Sequence, residues 1–263
     1  MTKKIRLDLH LLTKGIVSTR QKAQQLIRAG MVRDISGKLL DKPGQEVYES
    51  LELVVKKSPR FVSRGGEKLL KAFEEFPIQV KNKICIDGGI STGGFTDCLL
   101  QHGAKKVYGI DVGYGQTAWN IRQDPRVSLH ERTNLRTLTA EKLYAPNESW
   151  ANFVVLDVSF ISIELILPSI KYLVNSRDCE VVLLIKPQFE VGRGLVSKGG
   201  VVKDKKARAF AVQKVIKAAQ ENQFQPKGLL ESPLIGPAGN HEYLFWASLN
   251  EKAEKIDISS VID

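Results

Sequence analysis

Cysteine is scarce in this chain: Cys85, Cys98 and Cys179 are the only three among 263 residues, and they are widely spaced. They form neither a CxxC pair nor a Cys/His metal pattern. A disulfide scaffold and a zinc ribbon are thereby disfavoured, and free buried thiols in a reducing cytoplasm are the expectation. No apolar run approaches the ~18 residues that a membrane helix needs. The start, Met1-Thr2-Lys3-Lys4-Ile5-Arg6, is basic, but no apolar segment with a small-residue cleavage site follows, so a secretory leader is not expected. No internal repeat and no long low-complexity tract is found. No segment reads G-x-x-x-x-G-K-[ST], which disfavours a nucleoside triphosphate as ligand.

Positive charge is what the chain has in excess. The formal net charge is +10, and 43% apolar residues is ordinary for a globular protein. The excess is unevenly spread. Residues 1–60 hold 13 Lys and Arg against 6 Asp and Glu, leaving an excess of only 3 for the other 203 positions. A concentrated cationic unit at one end suits a polyanion, and nucleic acid is the commonest large one.

Residues 5–57 read as a small α+β module. The leucines of Ile5–Leu12 suit a short helix, and Gly15 permits a turn. Ser18 can cap a second helix, with Gln21 reaching back to it. Ala23, Leu26 and Ile27 would face the core, and Gly30 suits the position just past the helix end. Short strands are expected at 31–32, 38–40, 45–48 and 51–55. The polar stretch Lys56-Lys57-Ser58-Pro59-Arg60 marks a junction, giving domains 1–58 and 63–263 with a linker at 59–62.

Beyond the junction the rhythm changes. Apolar strand candidates at 84–87, 106–111, 127–130, 153–157, 181–185, 227–231 and 242–248 alternate with helical stretches at 94–102, 118–124, 164–174 and 204–224. This pattern predicts a mostly parallel seven-stranded sheet covered on both faces, a Rossmann-like α/β fold. The last two strands are joined by Ser232–His241, too short for a parallel crossover, so the final strand is expected to pair antiparallel.

The first of these strands runs into Asp87-Gly88-Gly89-Ile90-Ser91-Thr92-Gly93-Gly94-Phe95. Glycines there allow a tight turn and close approach of a ligand to backbone N–H groups. Asp111 closes the next strand, 24 residues after Asp87. In dinucleotide folds an acid roughly 20 residues beyond the glycines holds the ribose hydroxyls. The loop is not a clean G-x-G-x-x-G. An acid before the glycines and Gly-Gly-Phe after them suit a ligand with a cationic, phosphate-free end, and S-adenosylmethionine is such a ligand. Asn134, after the third strand, is the candidate for its adenine.

Four further residues share a pattern. Asp157 and Lys186 each end an apolar strand run, Glu242 opens another, and Lys68 lies near the start of an amphipathic helix with Leu69, Leu70 and Phe73. Two lysines and two acids gathered at strand ends would hold one another charged and oriented. Such a cluster can steer a hydroxyl and take its proton. The segment Pro187–Val202 is long, glycine-rich and basic, and reads as a lid in which Arg193 and Lys198 meet phosphates.

The motifs also resemble known families. Residues 5–55 resemble the S4 RNA-binding module through Arg6-Leu7-Asp8, Ser18-Thr19-Arg20, Leu26-Ile27, Gly30 and Lys42-Pro43-Gly44. Residues 61–249 resemble the FtsJ-like 2′-O-methyltransferases. The combination is similar to the haemolysin A (TlyA) family of ribosomal RNA methyltransferases, through Ser63-Arg64-Gly65-Gly66-Glu67-Lys68, Ser91-Thr92-Gly93-Gly94-Phe95, Asp157-Val158-Ser159-Phe160-Ile161-Ser162, Lys186-Pro187-Gln188-Phe189-Glu190 and Gly236–Glu242. Three places depart from the family's pattern: Gly88 stands where an apolar residue is usual, Ile90 where alanine is frequent, and Val32–Gly37 lacks the usual apolar-Asn-Gly turn.

The resemblance implies methyl transfer from S-adenosylmethionine to a ribose 2′-hydroxyl of ribosomal RNA, with cytidine as target and no metal. It implies Lys68, Asp157, Lys186 and Glu242 as the catalytic group, with Lys186 acting as base or by positioning. The candidate RNA contacts are Arg6, Arg20, Lys22, Arg28 and Arg64, beside Arg193 and Lys198. The expected partners are ribosomal RNA and ribosomal subunits, not a membrane. Two other readings are a membrane-active haemolysin and a non-catalytic RNA-binding factor that keeps the methyltransferase fold.

Overall fold

A computed structural model describes residues 3–56, 59–174, 178–249 and 251–262. The chain divides into two compact units, Met1–Pro59 and Arg60–Asp263.

The first unit runs β1 (Lys4–Arg6), α1 (Leu7–Thr13), α2 (Arg20–Arg28), β2 (Val32–Asp34), β3 (Glu46–Tyr48) and β4 (Leu53–Val55). Two antiparallel ladders, β1 with β3 and β2 with β4, enclose Leu7, Leu11, Ala23, Ile27, Val32, Leu40 and Val47. The segment expected as one helix from Ile5 splits: Ile5 and Arg6 join β1, and the helix begins at Leu7. The cap of α2 is Thr19, not Ser18; Thr19 is extended, and its hydroxyl accepts the Lys22 N–H at 3.2 Å. Gly30 has φ +68° just past the helix end, as expected. Residues 38–40 make only a bridge, Arg33 to Leu39. Where the family pattern has Asn-Gly, the carboxylate of Asp34 accepts the N–H groups of Ser36 and Lys38, and Gly37 at φ +88° closes the turn. A short acid thus does the turn-forming work of asparagine.

The second unit contains α3 (Gly65–Glu75), β5 (Ile84–Gly88), α4 (Gly94–Gln101), β6 (Lys106–Ile110), α5 (Trp119–Arg122), β7 (Val127–His130), α6 (Ala140–Leu143), β8 (Phe153–Leu156), α7 (Leu167–Leu173), β9 (Glu180–Ile185), α8 (Pro187–Glu190), α9 (Lys205–Glu221), β10 (Gln225–Glu231) and β11 (Tyr243–Ser248). Seven strands form one sheet in the order β10-β11-β9-β8-β5-β6-β7. β11 lies antiparallel to both neighbours, and β5 to β9 are parallel.

Alternate residues leave opposite faces of each strand. Val154, Leu156, Val181, Leu183 and Ile185 join the core beneath α7 and α9, while Phe153, Val155, Val182 and Leu184 join the core beneath α3 and α4. This double burial explains why the central strands read as unbroken apolar runs. The expected linker is not a spacer beyond Pro59. The Phe61 ring is buried in the second core, where Gly66 leaves room for it, and the Val62 N–H donates to Asp97 at 2.8 Å. Lys57 and Ser58 of the expected junction lie outside the described residues.

From β5 the chain winds outward through β6 and β7, then returns to β8 on the other side of β5. The order therefore reverses between β5 and β8. In open α/β sheets ligands bind at such a point, beyond the carboxyl ends of the strands.

Candidate active site

Two cavities open there. One of about 300 Å³ has in its lining Arg64, Lys68, Thr92, Gly94, Phe95 and Lys186, with Leu234, Ile235 and Pro237 as an apolar rim. The other, about 570 Å³, has in its lining Asp111, Val112, Gly113, Asn134, Leu135 and Phe160. Gly89, Ser91, Asp157 and Ser159 line both. Their sizes fall in the range of small-molecule sites.

Each wall has a local cause. β5 ends at Gly88, and Gly89 turns the chain with φ +83°. A Cβ at Gly89 would stand 2.6 Å from the Asp157 carbonyl oxygen, so only glycine lets the two loops approach. Lys68 is delivered by α3, whose start packs tightly on the start of α4; a Cβ at Gly94 would meet Ser63 Oγ at 2.2 Å. Buried Leu69, Leu70 and Ala72 fix the rotation of α3. Lys186 ends β9, and Pro187, which has no N–H for a ladder, opens the α8 turn.

The four reactive candidates form two ion pairs. Lys68 Nζ lies 2.5 Å from Glu242 Oε2, and Lys186 Nζ lies 2.6 Å from Asp157 Oδ1. Lys186 also donates to Ser159 Oγ at 2.8 Å. Glu242 is 2% exposed and is not part of either lining, so it holds Lys68 from behind. Gly236 gives it room: a Cβ there would stand 2.6 Å from Glu242 Oε1.

The glycine loop differs from expectation in one respect. The N–H groups of Gly89 and Ile90 donate to the Ile110 carbonyl, Ser91 N–H to Asp111 Oδ2, and Gly93 N–H to the Ile90 carbonyl. These donors are spent inside the protein, and the loop serves a ligand chiefly as a wall. Among the expected cofactor residues, Gly89, Ser91, Thr92, Gly94, Phe95, Asp111 and Asn134 line a cavity; Asp87, Gly88 and Gly93 line neither. Asp87 is fully buried, accepts the Thr96 hydroxyl at 2.7 Å, and is pushed up to about 7 by burial. Gly93, at φ +99°, starts α4 against Ile121.

Asp111 is suited to a ribose diol. Its two oxygens accept one N–H each, from Gly113 and Ser91, and a carboxylate has capacity for more. Val112, Leu135, Ile161 and Ile166 offer apolar surface beside it for a base. Asn134 spends its carbonyl oxygen on the Arg136 N–H, leaving its NH₂.

Sequence reasoning assigned no role to Ser159 or to the rim Leu234, Ile235 and Pro237. A hydroxyl two residues after Asp157 was the available signal for the first; Pro237 lies in the Gly236–Glu242 motif, and Leu234 and Ile235 carry no signature of their own. The segment 187–202 is less open than a lid. Its first residues form α8, and the buried side chain of Asn240 accepts the Val202 N–H and donates to the Gly200 carbonyl. Arg193 and Lys198 are exposed between these anchors. In the first unit, Arg6 and Arg20 both donate to the buried Asp8 carboxylate, which they hold well below the usual range. Lys22 and Arg28 are exposed on α2, and Arg64 is exposed at the first cavity.

Among the described residues, no group of three or more His, Cys, Asp or Glu is placed to hold a metal ion, and no helix is long and apolar enough to cross a membrane.

A seven-stranded sheet in this order, with one antiparallel strand and an acid-flanked crevice at the reversal, defines a Rossmann-like methyltransferase. Residues 61–249 match the family model described as FtsJ-like methyltransferase, and the chain belongs to that family. It is 47% identical over 248 residues to the 16S/23S rRNA (cytidine-2′-O)-methyltransferase TlyA of Mycobacterium tuberculosis, covering 94% of this chain and 90% of that protein. It is 42% identical over 240 residues to Hemolysin A of Brachyspira hyodysenteriae, covering 91% of this chain and 98% of that one. A structure solved from Streptococcus thermophilus under the name hemolysin aligns with TM-score 0.74 at 38% identity, covering 100% of this chain and 95% of that one. The protein is thus an S-adenosylmethionine-dependent methyltransferase.

Proposed function

We propose that the protein methylates a ribose 2′-hydroxyl of ribosomal RNA, a cytidine ribose being the favoured target. The observation that carries this reading is convergence. Lys68, Asp157 and Lys186, which are 118 positions apart at the extremes, line one cavity with the loop Gly89–Phe95. The substrate class and base come from relatives such as the TlyA enzyme, whose name specifies cytidine 2′-O-methylation of rRNA.

Asp111, Val112 and Asn134 would hold S-adenosylmethionine, which when bound would supply an electrophilic methyl group on a sulfonium, a neutral thioether being the leaving group. The residues of the chain do the rest. A ribose hydroxyl is a weak acid and a poor nucleophile, so its proton must leave as attack proceeds. The hydroxyl proton passes to the Lys186 amine, and Asp157 stabilises the ammonium so formed. Ser159 fixes the direction of the amine. Lys68, held by Glu242, adds positive charge where the hydroxyl oxygen becomes anionic. The N-terminal unit, with 12 Lys and Arg against 6 Asp and Glu over residues 1–59, is the RNA-docking module, its exposed cations including Arg6, Arg20, Lys22 and Arg28.

Transfer of a tritiated methyl group to separate ribosomal subunits, with the labelled ribose mapped, tests the reading. Lys186→Ala is expected to lower transfer by about 10²–10⁴-fold while calorimetry shows S-adenosylmethionine binding retained. Full activity in that variant rejects the assignment.

A further inference from the structure

Two motifs beside the reactive pair have side chains that the mechanism leaves unused. One is Ser162-Ile163, following Asp157–Ser159. The other is Glu190, at the end of the turn that Lys186 opens. The structure joins them. Glu190 is buried, its Oε2 accepts the Ser162 hydroxyl at 2.5 Å, and its Oε1 accepts the Ile163 N–H at 2.9 Å. Lys214 from α9 completes the cluster. It pairs with Glu164 at 2.9 Å and donates to Ser162 Oγ and to the Glu190 carbonyl oxygen at 3.3 Å each.

Segments 157–163 and 186–190 are therefore laced at both ends. At one end Lys186 holds Asp157 and Ser159; at the other Glu190 holds Ser162 and Ile163. Between them stands Phe160, with φ +65°, 91% exposed, its ring 5.1 Å from that of Phe189. A bulky residue in the left-handed region is strained, and an exposed ring recovers little by burial. Its conformation must be imposed from the flanks. One flank is the reactive pair itself. The other is the Glu190 cluster.

We propose that Glu190, with Ser162 and Lys214, is a positioning latch that keeps the Asp157–Ser159 turn against Lys186. The proposal rests on the reading of Lys186 as the group facing the hydroxyl. Burial raises the Glu190 carboxyl, while Ile163, Ser162 and Lys214 draw it down. A buried carboxylate so fully engaged is a costly way to close a turn that needed nothing more than a hydrogen bond.

Glu190→Ala tests the latch. Loss of the second flank is expected to lower kcat by on the order of 10–100-fold through misplacement of Lys186, with the S-adenosylmethionine Kd and the RNA KM within about twofold of wild type. Ser162→Ala moves in the same direction by less, and it carries the test if Glu190→Ala does not fold. Glu190→Gln restores much of the rate, because its amide oxygen can accept the Ile163 N–H and its NH₂ can donate to Ser162. A second readout needs no RNA. Labelling of Lys186 by acetic anhydride at fixed pH, measured against Lys68 by mass spectrometry, is expected to quicken in Glu190→Ala and Ser162→Ala. Unchanged kcat and unchanged labelling in a folded Glu190→Ala overturn the proposal. So does a parallel loss of kcat, KM and cofactor affinity with labelling unchanged, which marks a merely structural role. If the wild type methylates no RNA, the functional reading fails, and the labelling still decides the latch.

Discussion

Removing Lys68 or Glu242 should have unequal consequences, and the inequality follows from where each side chain ends. Glu242 is 2% exposed, whereas the Lys68 side chain, at 12%, borders an open cavity. Lys68→Met strands a carboxylate with no route to water, a loss of about 3–5 kcal/mol. Glu242→Leu strands an ammonium that can turn into the cavity and recover solvent, so the loss is about 1–3 kcal/mol. Lys68→Met with Glu242→Leu removes both charges, and apolar replacement of a whole buried pair is close to neutral, within about 1 kcal/mol. For a unit of this size each kcal/mol moves the melting temperature by about 2–4 °C. Lys68→Met should therefore melt about 6–20 °C below wild type, and the double variant should regain most of that. Calorimetric melting or urea titration reads the stabilities, and tritiated methyl transfer reads the chemistry. Transfer should stay lost in Lys68→Met and in the double variant, because stability returns there without the charge. A double variant whose loss equals the sum of the two single losses would show that the two side chains are not coupled. Recovered transfer in that variant would remove Lys68 from the mechanism.

Asp87, which burial holds near 7 against an ordinary 3.8, keeps its proton in the folded state over a range where the unfolded chain has lost it. Folding stability from this group is therefore greatest below about pH 4 and falls as pH rises to about 7, by about 4 kcal/mol in all. Asp87→Asn removes the loss, so its melting temperature relative to wild type should climb between about pH 4 and pH 8, and a flat difference rejects the reading. Gly89→Ala meets both a left-handed backbone and the Asp157 carbonyl oxygen at 2.6 Å. Beyond the roughly 1–2 kcal/mol of backbone strain, it should push Asp157 aside, so both cofactor binding and transfer fall; retention of both refutes the close approach.

The alternation of apolar runs and helical stretches made the sheet legible, because strands buried on both faces leave a hydrophobic trace that needs no partner to be recognised. The antiparallel last strand was legible from connection length alone. The four candidates stood out by residue type, Asp157, Lys186 and Glu242 at strand ends and Lys68 near a helix start, and the structure pairs them. Their pairing was less accessible. Nothing in the sequence says that Glu242 belongs to Lys68 and Asp157 to Lys186, because pairing depends on β11 entering beside β9 and on α3 packing through Gly65, Gly66 and Gly94. The fate of the loop N–H groups was also hidden. Glycines announce room for a ligand, but whether Ile110 and Asp111 claim the donors first depends on the register of β6 against β5. The roles of Ser159 and Glu190 escaped for a similar reason: a serine and a glutamate are common surface residues until the fold sets one against Lys186 and the other against Ser162 and Ile163.

The two departures in the cofactor loop illustrate how a site survives substitution around it. A side chain at Gly88 would meet Leu156 Cδ2 at 2.5 Å and Leu135 Cδ2 at 2.6 Å. The volume that an apolar residue would fill is already filled from two neighbouring segments. Ile90 shows the converse. Its Cδ1 lies 2.4 Å from where a Cβ of Gly109 would stand, so the larger loop residue occupies space that the next strand gives up. In each case the space beside a glycine is filled by a neighbour's side chain, as a close-packed core requires. What the exchange preserves is the path of Gly89–Ser91 between Asp111 and Asp157. The walls of both cavities come from that path and from the acids on either side of it, so the loop can vary in the residues that face the core and keep the crevice intact.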